Sequence, residues 1–471
     1  MSNPIPADVQ QLFDAFDARD RELYLVGGAV RDWALGASIS TLDDLDFCTD
    51  ARPETTADIL EEHDFDTYDL GFEFGTVGCV LYGPTDAEGY PKDCQITTYR
   101  SEEYYRRGSR HPEVEFGDTI EEDLGRRDFS INSMAMDGDG RLRDPYGGRE
   151  DLEDGLLRVI GEADPTLAED PLRILRVGRF MSKLGFRPTD PLREACFARS
   201  DRLLEISRER WHQEMTKLLC GPHPTEALEF LESTRALGIM LPEVASLVDL
   251  HESSPVPHKD VWSHTLQVLE QTPPREVLRW AALLHDIGKP WTRAVRDGDV
   301  TFYRHERHGA MLFEGIRDRF RFDNESADAV EFVIRHHGRA PQYDREWTDA
   351  AVRRFVREMD PYVETMIAFA RADLTTDIDE KRRRALDRLD ELEERIEQLH
   401  RRRDLRPDLP TGLGDDLMES FDLEPSPLVG ELKRYVEEQI LNGRFENHRD
   451  ACYYVDRLQR DPPDFLSDAD S

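Results

Sequence analysis

Asp44 and Asp46 stand one residue apart in the run Asp44-Leu45-Asp46-Phe47. On a strand, residues i and i+2 share a face. Two carboxylates forced together bind hard divalent cations through oxygen. Two Mg²⁺ ions can then activate an attacking hydroxyl and stabilise a leaving phosphate. In a chain with 99 Asp and Glu, the competing reading is an exposed acidic turn. Upstream, Leu23-Tyr24-Leu25-Val26 reads as a strand, followed at once by Gly27-Gly28 and the helix-like Ala29-Val30-Arg31-Asp32-Trp33. Strand, glycine pair and helix start make a phosphate seat, because bare backbone N–H groups and the helix dipole both favour an anion. Alone, the same pattern is also that of a plain turn.

Glu169-Asp170-Pro171-Leu172-Arg173 is expected to follow a loop and open a helix that carries Arg176 and Arg179 further along. Pro171 suits a first helical turn, and Asp170 and Arg173, three apart, would share a face. An Asp accepts and an Arg donates. Cytosine and adenine both present an exocyclic amino donor beside a ring-nitrogen acceptor, so one such pair can meet both, whereas uracil and guanine present the opposite pattern. The competing reading is a capping acid with an i,i+3 salt bridge.

Eight of the fourteen histidines fall between 251 and 337. Ala281-Ala282-Leu283-Leu284-His285-Asp286-Ile287-Gly288-Lys289 reads as an apolar helix carrying a His-Asp pair. Imidazoles and carboxylates together suit Mn²⁺, Fe²⁺, Ni²⁺, Mg²⁺ or Zn²⁺, and such a metal makes hydroxide for phosphoester hydrolysis.

Taken in order, the N-terminal motifs resemble the head of the nucleotidyltransferase superfamily, specifically the class II tRNA nucleotidyltransferases and related poly(A) polymerases. The resemblance is carried by Val26 to Asp32, Asp44 to Glu54, Phe74-Gly75-Thr76-Val77, Ile96-Thr97-Thr98-Tyr99-Arg100 and Glu122 to Asn132. It continues through Glu169 to Arg173, Arg176 to Phe180, Ser207-Arg208-Glu209-Arg210, Glu214 and Lys217-Leu218-Leu219. It implies that Asp44 and Asp46 hold Mg²⁺ and that Gly27, Gly28 and Arg31 seat a triphosphate. Arg126 and Arg127 would lie by that triphosphate, with Asp128 accepting a ribose hydroxyl, and Asp170 with Arg173 would be the amino-acid template for CTP and ATP. Phe74-Gly75-Thr76 resembles the CCA-adding members. One departure is Gln95, where the family often has Glu; Asp93, on the same strand face, is a candidate replacement. The spread His264, His285, Asp286, His305, His337 and Asp373 resembles the HD phosphohydrolases, with His336 as a rival for His337 and with His251, His258 and His308 as bystanders. That site would take a transition metal such as Ni²⁺ or Mn²⁺; the competing reading is an HD fold that no longer turns over.

These residues need a scaffold. The expected fold is an α+β nucleotidyltransferase head, a small mixed sheet with helices, over 20–146, followed by an all-α neck (147–250), HD domain (255–380) and tail (381–471). Within the head, Leu23–Val26, Leu45–Phe47, Thr76–Leu81 and Gln95–Tyr99 read as strands and Ile131–Met136 as helical. Leu172, Leu175, Val177, Phe180 and Leu184 recur at helical spacing in the neck. A charged helix, Lys381–Arg403, precedes a Pro/Gly break (Arg406–Gly414), two further helical stretches and a frayed end (Asp461–Ser471). Arg382 to Arg384 and Arg401 to Arg403 read either as tRNA phosphate contacts or as a solvated, salt-bridged face.

The 471 residues carry a net charge of −38, with 54 arginines but 7 lysines, a balance suited to a salt-rich cytoplasm. An acidic surface normally opposes nucleic acid, so any RNA contact must come from local Arg clusters. No apolar run reaches the length of a membrane helix, Met1-Ser2-Asn3-Pro4 has no secretory character, and the six cysteines form no CxxC pair. The expectation is therefore a cytoplasmic enzyme without a structural zinc or disulfide framework. It would add or repair the tRNA 3′-terminal CCA from CTP and ATP, with tRNA as partner and no membrane or obligate protein partner. The rivals are a poly(A) polymerase or partial (CC- or A-) adding enzyme, and a non-catalytic RNA-binding protein.

Overall fold

The computed structural model describes residues 4–42, 44–82, 91–104, 113–252, 261–296, 299–376, 378–401 and 407–467. It divides into two compact units, Met1–Ala245 with Arg319–Arg321, and Ser246–Asp318 with Phe322–Ser471. Among the described residues, no helix is long and apolar enough to cross a membrane.

The first unit is built on a seven-stranded mixed sheet. Its strands are β1 (Leu23–Val26), β2 (Asp44–Thr49), β3 (Asp66–Asp69), β4 (Thr76–Leu81), β5 (Lys92–Thr98), β8 (Ala135–Met136) and β9 (Leu142–Arg143); β6 (Arg100–Tyr104) and β7 (Glu113–Phe116) form a separate hairpin. The order is β3-β4-β5-β2-β1-β8-β9. The one parallel pairing in it, β2 with β5, sets Asp44 against Asp93 and Asp46 against Gln95. β1 is buried along its whole length, as befits an interior strand of aliphatic and aromatic side chains. β2 alternates instead: Leu45 and Phe47 are buried, Asp44 and Asp46 exposed. That alternation drives one face of β2 into the core, where Phe47 meets Phe13 edge-on at 5.8 Å, and leaves both carboxylates on the other. Ile131–Met136 is not a helix. Ser130–Asn132 is a single 3₁₀ turn, and Ala135–Met136 pairs with β1 as a strand. A six-residue apolar run cannot reveal its own period, and pairing with β1 decided it.

Beyond the sheet the unit is helical, apart from a two-residue parallel ladder of β10 (Leu156–Leu157) with β11 (Arg187–Pro188), which the all-α expectation lacked. Asp170 lies in neither of its flanking helices. Ala163–Glu169 is helical up to Glu169, Asp170 is extended (φ −127°, ψ 95°), and the next helix is Arg173–Leu184. The residue before a proline is pushed out of the helical region, so Pro171 ends one helix rather than starting the next. Ile174, Leu175, Val177, Phe180 and Met181 bury the inner face of Arg173–Leu184.

In the second unit, helices Val261–Gln271, Glu276–Leu284, His305–Phe320 (as far as Asp318), Asn324–His336 and Val363–Ala372 carry a core that includes Trp280, Leu283, Phe313, Val333 and Phe369. An antiparallel hairpin, β12 (Arg293–Arg296) with β13 (Asp299–Phe302), again departs from the all-α expectation. The charged helix runs Asp379–Arg401. Among the described residues after it come four helices rather than two: Leu413–Phe421, Pro427–Leu441, Ala451–Arg460 and Asp464–Ser467. They share a core around Leu417, Leu432, Val436, Tyr454 and Leu458. Arg383 and Arg384 both pair with Glu380, Arg401 pairs with Glu397, and Arg382 donates to Gln271, which is the salt-bridged pattern. Arg402, Arg403 and residues 468–471 lie outside the described residues, as do the side chains of His251 and His258.

Candidate active site

Gly27 ends β1 at φ +68°, a conformation that L side chains rarely adopt, and caps the helix Gly28–Ala34. A Cβ on it would lie 3.1 Å from an Arg127 guanidinium nitrogen and 3.7 Å from an Asp46 carboxylate oxygen. The glycine is therefore the floor of a narrow gap between an acid and a base. Although Asp46 is open to the cleft, the protein packed around it displaces enough water to push its carboxyl above the usual range; Arg127 pulls it down, and Asp44 pushes it up again. Arg126 and Arg127 are not loose surface arginines. Both converge on Asp123, which is fully buried: Arg126 donates at 2.8 Å to one oxygen and Arg127 at 2.9 Å to the other. Burial pushes Asp123 up, but the two guanidinium groups outweigh it and hold the carboxyl well below its usual range.

A second chain of polar contacts runs from the helix Gly28–Ala34 to the helix Arg173–Leu184. Buried Arg31 donates to Asn132 Oδ1 at 2.7 Å, Asn132 donates to Asp128 Oδ1 at 3.0 Å, and Asp128 pairs with Arg176 at 2.7 Å. Arg31 also pairs with Asp32 at 2.8 Å. Arg179 is fixed by Glu214 at 3.2 Å and lies 4.9 Å over the Phe180 ring. The Asp170 carboxylate accepts from the Leu172 backbone N–H at 3.1 Å, and Arg173 donates to the Arg126 carbonyl at 3.1 Å. Asp170 and Arg173 thus meet separate partners rather than forming a helix-face pair. Arg100 donates to the Phe74 carbonyl at 2.8 Å and to Thr76 Oγ1 at 3.1 Å, tying Phe74-Gly75-Thr76 to the start of β6.

Gly27, Gly28, Arg31, Asp44, Asp46, Arg126, Arg127, Asp128, Asp170, Arg173, Arg176 and Arg179 all line one cleft of about 1730 Å³. Asp93 stands beside Asp44 in register but accepts from Tyr68 Oη at 3.3 Å. Sequence reasoning missed Asp123, which holds arginines rather than facing the cleft, and Asn132 and Lys183, which do line it. Asp123 precedes the arginines by three and four residues, a helical spacing that was there to be read. The open carboxylate pair of β2 suits a hard cation.

The second cluster lies in the other unit. His264 Nε2 and His285 Nε2 are 3.2 Å apart, and so are His305 Nε2 and His337 Nε2. Asp286 lies 3.1 Å from His285 Nε2 and 3.4 Å from His305 Nε2, and Asp373 lies 3.2 Å from His264 Nε2. The Nδ1 atoms of His285, His305 and His337 each meet a backbone carbonyl, of Ala282, Phe302 and Ile334, at 2.9–3.0 Å. A carbonyl only accepts, so Nδ1 carries the proton in these three rings, and in the neutral ring the Nε2 of His285, His305 and His337 turns a lone pair inward. Lone pairs facing one another at 3.2 Å repel unless a cation lies among them, so these donors fit a metal ion. Burial and His285 hold the His337 imidazole down to about 4, in keeping with a neutral ligand. His336, by contrast, packs on the Phe332 ring at 4.5 Å. It is His337 that joins the cluster.

A family model for the poly(A) polymerase head domain matches residues 23–158, one for a probable RNA- and SrmB-binding site of polymerase A matches 185–247, and one for the HD domain matches 260–395. A CCA-adding enzyme of Geobacillus thermodenitrificans is 38% identical over 277 residues, covering 58% of this chain and 62% of its own length, so the match spans less than two thirds of that relative. A multifunctional CCA protein of Pseudomonas aeruginosa is 34% identical over 339 residues, covering 68% of this chain and 75% of that one. The crystal structure of the Bacillus stearothermophilus CCA-adding enzyme with CTP superposes with a TM-score of 0.68 at 26% identity, covering 98% of this chain and 99% of that one. The chain belongs to the class II CCA-adding enzyme family, tRNA nucleotidyltransferases built on a poly(A) polymerase head and followed by an HD domain.

Proposed function

We propose that this chain adds or repairs the 3′-terminal CCA of tRNA from CTP and ATP. The observation that carries the reading is the cleft that gathers the Asp44–Asp46 pair, the arginines and the Asp170–Arg173 pair around one volume. The tRNA 3′-hydroxyl oxygen bonds to the α-phosphorus, the bond from that phosphorus to the bridging oxygen breaks, and pyrophosphate leaves. Asp44 and Asp46 would hold Mg²⁺, whose chemistry there is activation of the hydroxyl and neutralisation of charge at phosphorus. Gly27 and Gly28 admit the triphosphate close to the backbone, beside Arg31, Arg126 and Arg127. With one charge of the arginine pair balanced by Asp123, the pair retains a net positive charge toward the phosphates. Asp128 is held for a ribose hydroxyl, Asp170 and Arg173 read the base, and Arg176 and Arg179 line the same wall. The names of the relatives support CCA addition over poly(A) synthesis. Asp44→Ala or Asp46→Ala should abolish addition and leave tRNA binding intact; near-full turnover in either variant would overturn the assignment.

The functional segments we assign are the head (20–146), the nucleotide-selecting neck (147–250), the HD segment (255–380) and the tail (381–471). A second activity, hydrolysis of 2′,3′-cyclic or terminal phosphates on RNA at His264, His285, Asp286, His305, His337 and Asp373, is supported by the inward Nε2 atoms. It would clear a blocked 3′ end before addition, and imidazole-rich donors favour a transition metal over Mg²⁺ there. The net charge of −38, with Arg far exceeding Lys, supports work in a salt-rich cytoplasm.

A further inference from the structure

The HD cluster has an aromatic shelf beside it that no step described above uses. Trp291 is 50% exposed and Tyr303 68% exposed, on the same stretch of chain as exposed Val295 and Met311. The Trp291 ring lies nearly parallel to the His308 ring, with centroids 6.1 Å apart and planes at 26°. His308 is one helical turn from His305 on the helix His305–Phe320, so the two share a face.

The shelf is fixed to the cluster through the backbone. Trp291 sits in the short helix Lys289–Thr292, whose cap is Gly288. A Cβ on Gly288 would collide with the His305 carbonyl oxygen and come within 2.6 Å of the Gly309 nitrogen. Main chain therefore packs on main chain at the metal-facing histidine itself, and this sets the register of Trp291 over His308. Two cations lie on the neighbouring segments: Lys289 pairs with Asp286 and lies 5.6 Å from the Phe302 ring, and Arg304 lies 5.1 Å from the Tyr303 ring. In a chain this acidic, aromatic rings beside two cations match a base joined to a phosphate, since every base offers a face for stacking and every phosphate a charge.

We infer that Trp291, backed by His308, is a stacking subsite for the base of an RNA 3′-terminal nucleotide whose phosphate is presented to the HD cluster. This rests on the hydrolase reading above. The subsite is tolerant of base identity, because stacking reads a ring face and not its hydrogen-bonding edge.

The test uses the full chain. Metal-free protein is titrated with adenosine 2′-monophosphate and with ribose 2-phosphate, and subtraction of the Trp291→Phe titration isolates the emission of Trp291. Adenosine 2′-monophosphate should quench that component saturably and ribose 2-phosphate should not. With metal supplied, Trp291→Ala should raise KM for adenosine 2′,3′-cyclic phosphate about tenfold and leave KM for base-free ribose 2,3-cyclic phosphate unchanged, while Trp291→Phe stays within about twofold of wild type. Absence of quenching, or an equal rise in KM on both substrates, would overturn the subsite. A wild type that hydrolyses neither substrate would overturn the hydrolase reading instead, and the quenching experiment would still decide the subsite.

Discussion

The guanidinium of Arg173 donates to the main-chain carbonyl of Arg126 at 3.1 Å. The side chain assigned to the base is thereby fastened to the backbone of the arginine pair assigned to the triphosphate. Arg173 spends one donor on that carbonyl and keeps others of its planar fork for a base edge. A lysine has neither the fork nor the reach of two fixed directions. Arg173→Lys should therefore lower discrimination of CTP and ATP from UTP and GTP by about 1–3 kcal/mol. Single-nucleotide incorporation with each of the four triphosphates measures this, and unchanged selectivity would return Arg173 to a purely structural role.

Gly27 tests the gap between Asp46 and Arg127. Gly27→Ala places a methyl group 3.1 Å from Arg127 at a φ of +68°. The strained backbone should cost about 1–3 kcal/mol of stability, and displacement of Arg127 should raise KM for CTP. Denaturant melts and steady-state kinetics on the same variant check both, and a variant with wild-type KM would place the triphosphate elsewhere.

Asp123 makes a pH-dependent prediction. Its carboxyl is held below its unfolded value by Arg127 and Arg126 against the opposing push of burial. A depressed folded value means the contribution to stability is fully present above the unfolded value, near pH 4, and fades as pH falls toward the folded one. Asp123→Asn should cost about 3–5 kcal/mol at neutral pH, because two arginines lose a buried partner. The gap between the wild-type and variant unfolding free energies should narrow below about pH 4. A gap independent of pH would mean that lost packing, not charge, accounts for the effect.

The adjacent histidines separate ligand from neighbour. His337→Ala should strip the second unit of bound transition metal, whereas His336→Ala should retain it, since His336 packs on Phe332 and His337 turns its Nε2 to His305. Elemental analysis of both purified variants reads this directly, and equal metal content would refute the ligand set.

How far the chain could be read differs from element to element, for physical reasons. β1 and Thr76–Leu81 were legible because a buried strand flanked by Gly is short, apolar and punctuated. The shared face of Asp44 and Asp46 follows from period two alone. The shared helix face expected of Asp170 and Arg173 failed because helical spacing was applied across Asp170-Pro171, where the pre-proline restriction breaks the helix and sends the two side chains to different partners. Asp123 stayed hidden because Glu121-Glu122-Asp123 reads as the ordinary acidic first turn of a helix; that one of the three is fully buried is a fact of tertiary packing. The hairpin β12–β13 and the strand Ala135–Met136 are too short to show a period. His337 and His336 are indistinguishable by type and position until the backbone orients them.

The central claim is that one cleft performs templated addition of C, C and A without a nucleic-acid template. Its most direct measurement is the length and sequence of the product when a tRNA lacking its 3′-terminal CCA is incubated with the full chain, CTP and ATP. Growth by three nucleotides, C-C-A, followed by a stop is the expected result. A long ladder of A, a stop after C-C, or no extension under any divalent cation would contradict it.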